Sequence, residues 1–322
     1  MTAQLDPLAS PAECAAPPPA TLVRLQATAW QRFRRNRAAL TGAAGLVIVL
    51  GACLLTAPWS PARMAEQHLA QARRAPSAGF VLGTDELGRS LAWRTFYGGL
   101  ISLSLGLLAA GIAVVIGTTY GAVAGYVGGR CDELMMRIVD VLYALPTLLL
   151  VMLFTVSVGE LLRVWGAGGR WALGGEWIRF IVLVLAIGGV SWLTMARVIR
   201  GQVLSLREQP FIEAARALGL PTWRILLRHV LPNLAGPIIV FATLTVPQAI
   251  LQESFLSFLG IGVQPPQATW GSLASDGIRL LNPVRFDWWL VAFPCLALSL
   301  TLLALNFVGD GLRDALDVRG GR

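Results

Sequence analysis

The sequence predicts an all-α integral membrane protein whose domain is a bundle of six transmembrane helices. Of the 322 residues, 55% are hydrophobic and only 14% are charged, whereas soluble proteins carry about 25% charged residues. Six intervals also lack Asp, Glu and Arg and reach the roughly 17–25 residues that a helix needs to cross a bilayer. A soluble protein with buried helices is the alternative, and so many intervals in one chain argue against it. The intervals are 38–62, 95–129, 141–159, 180–196, 229–252 and 288–309.

The residues outside these intervals form tails and loops. Residues 1–37 are predicted to be a disordered tail, because they begin with an Ala/Pro-rich stretch that has neither the basic start nor the apolar core of a signal peptide. The six-helix domain covers 38–309, and 310–322 form a second tail. The last of three long loops contains a Pro-Pro pair, which favours a re-entrant or surface segment over a span. The loops are 58–97, 197–230 and 254–286.

The placement of charge predicts the orientation. A run of arginines between Arg32 and Arg37 precedes the first span, so the positive-inside rule puts the N-terminus in the cytoplasm. Six crossings return the C-terminus to the same side, together with the 197–230 loop. Most of the arginines fall on this side, although the 58–97 segment on the other side holds several.

The residue inventory excludes several kinds of enzyme. All 26 basic residues are Arg, so the chain lacks the Lys of a P-loop ATPase or a Schiff base, and another polypeptide would have to bind any ATP. The four cysteines are scattered, and the two histidines, His68 and His229, lie far apart, which argues against a disulfide framework and a metal site. The motifs HExxH, GxSxG and GxGxxG do not occur. No catalytic residue, metal site or cofactor is therefore predicted.

A four-residue glycine period in the second span predicts close helix packing. Gly117, Gly121, Gly125 and Gly129 fall on one ridge of a helix, which allows another backbone to approach closely. Gly is costly inside a helix, so four in register imply a contact that needs them. The pattern favours a partner helix in the same chain and leaves contact with another subunit open.

The loop between the fourth and fifth spans contains a short helix with clear ends. Pro210 suits a first helical turn, Gly219 suits a left-handed residue just past the helix, and Pro221 prevents continuation; Thr222 can then cap a second helix. So short a helix is marginal alone in water. Its apolar face must be covered by the chain's own surface, by the membrane interface or by a separate protein. That face, at positions i, i+3, i+4 and i+7, consists of Phe211, Ala214, Ala215 and Leu218.

This loop resembles a known motif. The stretch "EAARALGLPTWRILLRHVLP" is similar to the EAA loop of membrane subunits of ATP-binding-cassette importers, in which EAAxxxG is followed by a short segment ending in LP. His229 stands where the general pattern often has Ile and the peptide-importer branch often has His. The residues that match the motif are Glu213, Ala214, Ala215, Gly219, Leu231 and Pro232.

Three further stretches extend the resemblance over residues 30–315. "LGTDELGRS", "GAVAGYVGGRCDELMMRIVDVLYALPTLLL" and "ESFLSFLGIGVQPPQATWGSL" are similar to the second, C-type permease subunit of dipeptide and oligopeptide importers. The chain departs from that family at Ser90, where Asp is common, at Leu100, where Arg is common, and in a longer 159–177 insertion. These departures concern the outer surface and the substrate rather than the class.

The resemblance implies a six-helix type I importer permease in a bacterial inner membrane, surrounded by lipid. The chain would form half of a pathway for di- or oligopeptides, with a second, similar permease as its heterodimer partner. Two cytoplasmic ATPases would bind ATP and Mg²⁺, and an extracytoplasmic binding protein would deliver the peptide; nucleic acid is not an expected partner. The short helix would be a coupling helix, in which the residues of the apolar face and of the motif contact one ATPase.

Polar residues within the spans are candidates for the path or a gate. Glu253 stands near the outer end of the fifth span beside Gln252, and an ionisable residue at membrane depth is a functional candidate. Lining the path and anchoring the segment that follows remain equally open for Glu253. Asn306 in the sixth span could line the path or bridge helices. Arg137 and Asp140, one turn apart, are expected to form a local ion pair.

Other cargoes and other classes remain alternatives. The same machinery could carry a nickel chelate, a sugar-like compound or an antimicrobial peptide. A stand-alone secondary transporter would require inverted repeats and discontinuous helices. A membrane enzyme would require a set of catalytic side chains. The sequence shows neither such a set nor the inverted repeats of a secondary transporter.

Overall fold

The computed structural model describes residues 29–166, 175–281 and 286–316, which form helices joined by turns and loops. The expectations for the first 28 residues, for the end of the C-terminal tail and for the middle of the 159–177 insertion lie outside the described residues. The helices are α1 (Ala29–Arg35), α2 (Arg37–Thr56), α3 (Ser60–Ala65), α4 (Leu91–Val127), α5 (Gly129–Tyr143), α6 (Thr147–Gly166), α7 (Gly175–Arg207), α8 (Pro210–Ala217), α9 (Thr222–Ile225), α10 (Leu231–Asn233), α11 (Ala235–Phe258), α12 (Trp270–Leu280) and α13 (Trp289–Leu316).

The six predicted spans correspond to five long apolar helices and one bent pair among the described residues. The helices α2, α4, α7, α11 and α13 are each long and apolar enough to cross a membrane. The interval 141–159, predicted to be one unbroken helix, instead begins at the end of α5 and continues in α6, and these two helices meet at 91°. Pro146 explains the break, since proline lacks the N–H that would continue the helix and disfavours helical backbone in the residue before it.

Both ends of the described chain lie at one end of the bundle. Phe33 of α1 packs in one buried cluster with Ala39 of α2 and Ala315 of α13. Asn36 caps α2 by accepting from the Ala39 amide at 3.2 Å, and its Nδ2 donates to Asp314 at 3.3 Å. Residues 29–35 and Arg37 are therefore helical rather than part of a disordered tail, because Phe33 has an apolar site to fill. We call this end, which also carries α8, the α8 end.

The opposite end, which we call the α12 end, is held by buried charges. The Asp85 carboxylate accepts from the backbone amide and Nε of Arg89, at 2.8 and 2.6 Å, and from Nη1 of Arg94 at 2.7 Å. Arg94 also faces Asp276 of α12 at 3.7 Å. Partial burial raises the pKa of Asp276, although Arg94 and Arg279 act in the opposite direction. The "TDELGR" stretch thus folds the loop before α4 onto α12.

Close packing of α4 on α7 forms the centre of the bundle. A Cβ added at Gly117 would lie 2.5 Å from the Met195 Cβ, one at Gly125 would lie 2.9 Å from the α7 backbone, and one at Gly121 would overlap the Ala196 carbonyl oxygen. Such distances leave no room for a side chain, so these glycines let two backbones touch. The partner helix belongs to the same chain, as the sequence favoured.

Gly129 does not belong to this ridge, which corrects the prediction of four contacts. The helix α4 ends at Val127, and Gly128 and Gly129 adopt positive φ angles of 70° and 58°. A Cβ at Gly129 would meet nothing within 4 Å. The last two glycines thus form the sharp turn from α4 into α5, which residues with a Cβ rarely adopt.

Candidate functional site

The short helix α8 has the ends that its sequence predicts. Pro210 is its first residue, after Gln209 in extended conformation. Gly219 follows the helix with φ +74°, in the left-handed region. Pro221 then stands at the N-cap position of α9, so Thr222 begins that helix and does not cap it. The chain therefore presents one isolated helix of 8 residues, just over two turns, between two sharp bends.

The faces of α8 differ from the prediction at one position. Ile212 and Ala215 are buried at 0% and 5% exposure, whereas Phe211 and Leu218 are exposed at 42% and 81%. Ala215, predicted to share the outward face, instead packs inward with Ile212, because the helix needs an apolar contact with its own bundle. The exposed ridge therefore consists of Phe211, Ala214 and Leu218, and the described chain leaves it uncovered.

An arginine and a tyrosine fasten α8 to the end of α4. The Arg216 guanidinium lies 4.9 Å from the centre of the Tyr126 ring, and its Nε donates to the Tyr126 hydroxyl at 3.2 Å. At the same place Arg207, the last residue of α7, donates to the Gly125 carbonyl oxygen at 3.2 Å. Tyr126 and Arg216 are not indicated by the sequence, since no local pattern links residues 90 positions apart.

A polar cleft of about 610 Å³ opens beside this contact. It lies between the ends of α4 and α7 and the helices α8 and α9, and Glu213 lines it together with Arg207 and Arg216. The Glu213 side chain is exposed, although its neighbour Ile212 is fully buried. The motif acid is thus placed at the surface of the α8 end, where another protein could reach it.

The segment after α9 connects α8 to α11. Residues Leu226–Val230 form a π-helical turn, a distortion that is frequent at functional sites. Leu231 and Pro232 of the motif follow in α10; Leu231 is half-buried and Pro232 is exposed. Because the chain then enters α11 directly, a displacement of α8 and α9 would act on this spanning helix as well as on α4.

Glu253 anchors the segment that follows it. Its side chain is fully buried, and Oε1 accepts from the Ser257 hydroxyl at 2.6 Å and from the Thr269 hydroxyl at 2.7 Å. Thr269 is also the N-cap of α12, in a capping box with Ser272. Of the two roles left open by the sequence, the geometry favours the anchor over a place on the path.

A cavity of about 240 Å³ lies between the α5–α6 break, α7 and α11. Gln252, a candidate for the path, lines it together with Gln248 one turn earlier. Asn306 does not: it is exposed on α13, away from the residues that line this cavity. The structure thus separates the candidate path residues into a buried anchor, Glu253, a cavity residue, Gln252, and a surface residue, Asn306.

The predicted ion pair between Arg137 and Asp140 is wrong. Arg197 of α7 donates to Asp140 at 2.7 Å, while Arg137 faces Glu133 at 3.8 Å. The reason is the packing of α7 beside α5, which brings Arg197 to Asp140, while Arg137 faces Glu133 one turn earlier on its own helix. In the described ranges, no group of three or more His, Cys, Asp or Glu side chains is placed to hold a metal ion.

Comparisons with known families and proteins agree with one another. Residues 117–320 match the family model "Binding-protein-dependent transport system inner membrane component". Residues 25–76 match the model "N-terminal TM domain of oligopeptide transport permease C". The chain is 43% identical to the dipeptide transport system permease protein DppC of Bacillus subtilis, over 90% of this chain and 84% of that one. It is 41% identical to the oligopeptide transport system permease protein OppC of Haemophilus influenzae, over 89% and 88%.

The fold is similar to a solved transporter. An inward-facing structure of the MetNI methionine ABC transporter matches 70% of this chain and 96% of its own, with a TM-score of 0.51 and 16% sequence identity. At that identity the likeness concerns the fold alone, which is that of a type I importer permease.

Proposed function

Because the chain belongs to the family of binding-protein-dependent transport system inner membrane components, we propose that it is the permease subunit of an ATP-driven importer of di- and oligopeptides. Its relatives over nearly the whole chain are named dipeptide and oligopeptide transport permeases. The observation that carries the mechanism is the uncovered ridge on α8, a short helix fastened to two spanning helices at the end of the bundle.

In this mechanism α8 is the coupling helix, and a cytoplasmic ATPase is the protein that covers its ridge. Phe211, Ala214 and Leu218 would insert into an apolar cleft, and Glu213 would make polar contacts at its edge. When the two ATPases close on ATP, α8 moves with one of them, and the bundle changes from inward-facing to outward-facing. The fixed ends at Pro210 and Gly219 keep the helix short and rigid enough to transmit that movement.

The required free energy is within reach of this contact. Changing a two-state equilibrium from 1:99 to 99:1 takes about 5.5 kcal/mol of differential binding. At about 25 cal/mol per Å² this corresponds to roughly 220 Å² of apolar surface buried in one state only. A phenylalanine, a leucine and an alanine offer area of that order, and closure of the ATPases adds to it.

The other subunits of the importer are proposed from the family and from the absence of Lys in this chain. A second, similar permease would complete the pathway as a heterodimer, and two ATPase subunits would bind ATP and Mg²⁺ and hydrolyse the nucleotide, since this chain has no Lys for a P-loop. A binding protein outside the membrane would deliver the peptide to the α12 end. The α8 end, with both termini, would then face the cytoplasm of a bacterial cell, in the orientation that the arginine run predicts.

Uptake of labelled peptides tests both parts of this proposal. Di- to pentapeptides are offered to cells that carry the native chain, a Leu218→Glu variant or a Leu218→Met variant. Leu218 is an exposed apolar residue, at 81%, and methionine keeps an apolar side chain of similar volume at the same position. We expect Leu218→Glu to abolish uptake while the protein remains in the membrane, because a buried, unpaired carboxylate opposes docking, and Leu218→Met to retain it.

The outcomes separate cargo from mechanism. If the native chain takes up peptides and Leu218→Glu takes them up equally well, the coupling role of α8 is wrong. If the native chain takes up no peptide, the cargo is wrong, and a nickel chelate is the next compound to assay. A Gly219→Pro variant gives a second reading of the coupling role, because proline cannot adopt the φ of +74° found there.

A further inference from the structure

The cavity between the α5–α6 break, α7 and α11 has an unusual lining. Apart from the Tyr143 phenol, whose ring is covered by Arg197 at 4.1 Å, no lining side chain is titratable. Six others carry a neutral amide or hydroxyl group. They are Thr147, Ser191, Thr194, Thr245, Gln248 and Gln252.

These groups lie within the spanning helices, where a polar side chain is energetically costly unless it has a hydrogen-bond partner. Gln248 is near the middle of α11 and Thr194 near the middle of α7, and both side chains are exposed in this chain. A polar group in contact with lipid tails would lose its hydrogen bonds to water. Polar residues in such positions therefore face a water-filled path or a partner. The break in the helical backbone after Tyr143 at the same cavity fits this, since non-helical backbone in a membrane is tolerated beside a water-filled cavity.

The hydrogen-bonding capacity of the lining is only partly used. The Ser191 hydroxyl donates to the Ile187 carbonyl oxygen at 2.8 Å and the Thr245 hydroxyl to that of Phe241 at 2.7 Å, which leaves their oxygen lone pairs free to accept. Oε1 of Gln252 is buried without a hydrogen-bond partner among the described residues. Each glutamine amide offers two N–H donors and an acceptor. The cavity thus presents neutral donors and acceptors together.

A peptide backbone carries the same two kinds of group at every residue. We propose that Gln248 and Gln252, with the neighbouring hydroxyls, form a contact strip that hydrogen-bonds the backbone of a peptide in transit and does not read the charge of its side chains. This inference rests on the proposed function and deepens it, because it assigns this site a class of ligand: the amide backbone of an uncharged or charged peptide alike. The second permease would supply the opposite wall.

The first test introduces a charge into the strip. In the complete importer reconstituted in vesicles, initial uptake of Ala-Lys-Ala and of Ala-Glu-Ala is measured with saturating binding protein. For Gln248→Glu we expect the ratio of basic to acidic peptide uptake to rise at least about fivefold over native, which corresponds to about 1 kcal/mol, the attraction of unit charges 4 Å apart in water. Comparing each variant with native cancels the preference of the binding protein itself.

The matched control is Asn306→Asp. Asn306 is also a polar residue exposed in the middle of a spanning helix, α13, but it is not among the residues that line the cavity, so it separates the strip from a polar group that faces a partner elsewhere. Its uptake ratio is expected to stay at the native value. An unchanged ratio in Gln248→Glu, or an equal rise in Asn306→Asp, would overturn the assignment of the strip. If the native complex transported no peptide, the proposed function itself would fail, and that result is distinct from either of these.

A second measurement decides the matter if Gln248→Glu is inactive. In a background without the four native cysteines, a Gln248→Cys variant is exposed during ATP turnover to a tripeptide whose side chain carries a pyridyl disulfide, so that attack by the Cys thiolate forms a mixed disulfide and releases pyridine-2-thione. Disulfide formation that excess unreactive tripeptide suppresses supports the strip, and Asn306→Cys should form none. Equal trapping at both positions, or none at Gln248→Cys in a complex that still transports, rejects it.

The backbone part of the inference has its own test. Replacing the amide between the first Ala and Gln of Ala-Gln-Ala by an ester removes one N–H donor from the peptide. We expect the ratio of amide to ester uptake to fall about fivefold in Gln252→Leu relative to native, the change that corresponds to one hydrogen bond of about 1 kcal/mol. If the two ratios are equal, the strip does not hydrogen-bond the backbone.

Discussion

Two glycines of α4 should respond in opposite directions to the same substitution. At Gly117 an added Cβ would lie 2.5 Å from the Met195 Cβ and 2.8 Å from the Trp192 carbonyl oxygen, both of which are fixed by the α7 backbone. Carbon atoms in contact prefer about 3.5–4.0 Å, so the two helices must separate by roughly 1 Å. At Gly111, on the same helix, an added Cβ would meet nothing within 4 Å.

The two substitutions are expected to change the stability of the subunit in opposite directions. Overpacking a close contact costs about 1–3 kcal/mol, which exceeds the gain of up to about 1 kcal/mol from replacing Gly by Ala within a helix. Gly117→Ala should therefore destabilise the subunit, whereas Gly111→Ala should leave its stability unchanged or raise it slightly. With about 2–4 °C of melting temperature per kcal/mol in a large domain, a drop of several degrees is expected for Gly117→Ala alone.

The buried thiol of Cys53 reports this unfolding. Its side chain is 1% exposed in α2, so a fluorescent maleimide should label it only when the bundle opens. The purified importer is heated in detergent with the other three cysteines replaced by serine, and labelling of Cys53 is followed against temperature. Equal melting temperatures for Gly117→Ala and Gly111→Ala would refute the close contact between α4 and α7.

Three more predictions follow from the contacts. Arg216→Gln should reduce peptide uptake severalfold more than ATP hydrolysis, because it removes the charged link from α8 to Tyr126; equal loss of both activities, measured on the same vesicles, would contradict that role. Thr269→Val should lower the melting temperature, because the buried Glu253 loses one of its hydrogen bonds, a loss of about 1–3 kcal/mol, and Thr269→Ser should restore it. Cys131, exposed near the start of α5, should react with an impermeant maleimide in inside-out vesicles and not in intact spheroplasts, and the reverse pattern would invert the orientation.

Local signals explain what could be predicted from the sequence. The bounds of α8 depend on Pro210 and Gly219, whose backbone preferences act within a few residues, and the structure has both where the pattern puts them. The glycine ridge predicted a close contact, but spacing could not reveal that Gly129 leaves the helix, because the turn depends on the left-handed backbone of Gly128.

Contacts between distant residues explain what could not be predicted. Which face of α8 turns inward depends on Tyr126, 90 residues before Arg216, and no periodicity within α8 records that. The role of Glu253 was undecided for the same reason, since its partner Thr269 lies across a loop. Pro146 is a local signal for the break between α5 and α6, but Pro247 and Pro294 lie inside the spanning helices α11 and α13. Proline alone therefore does not decide where a span bends, and the packing of α5 beside α7 does.

The geometry offers a continuous mechanical route from α8 to the cavity. Arg216 and Tyr126 join α8 to the end of α4. Because α4 and α7 are in backbone contact at the glycines, those two helices should move as one body. The helix α7 forms one wall of the cavity, whereas α11, a second wall, is reached through the π-helical turn after α9. A displacement of α8 thus acts on both walls through connections of different stiffness, one rigid and one distorted. Because the walls would not move equally, the width of the cavity should change with the position of α8, which is what alternating access to a path between them requires.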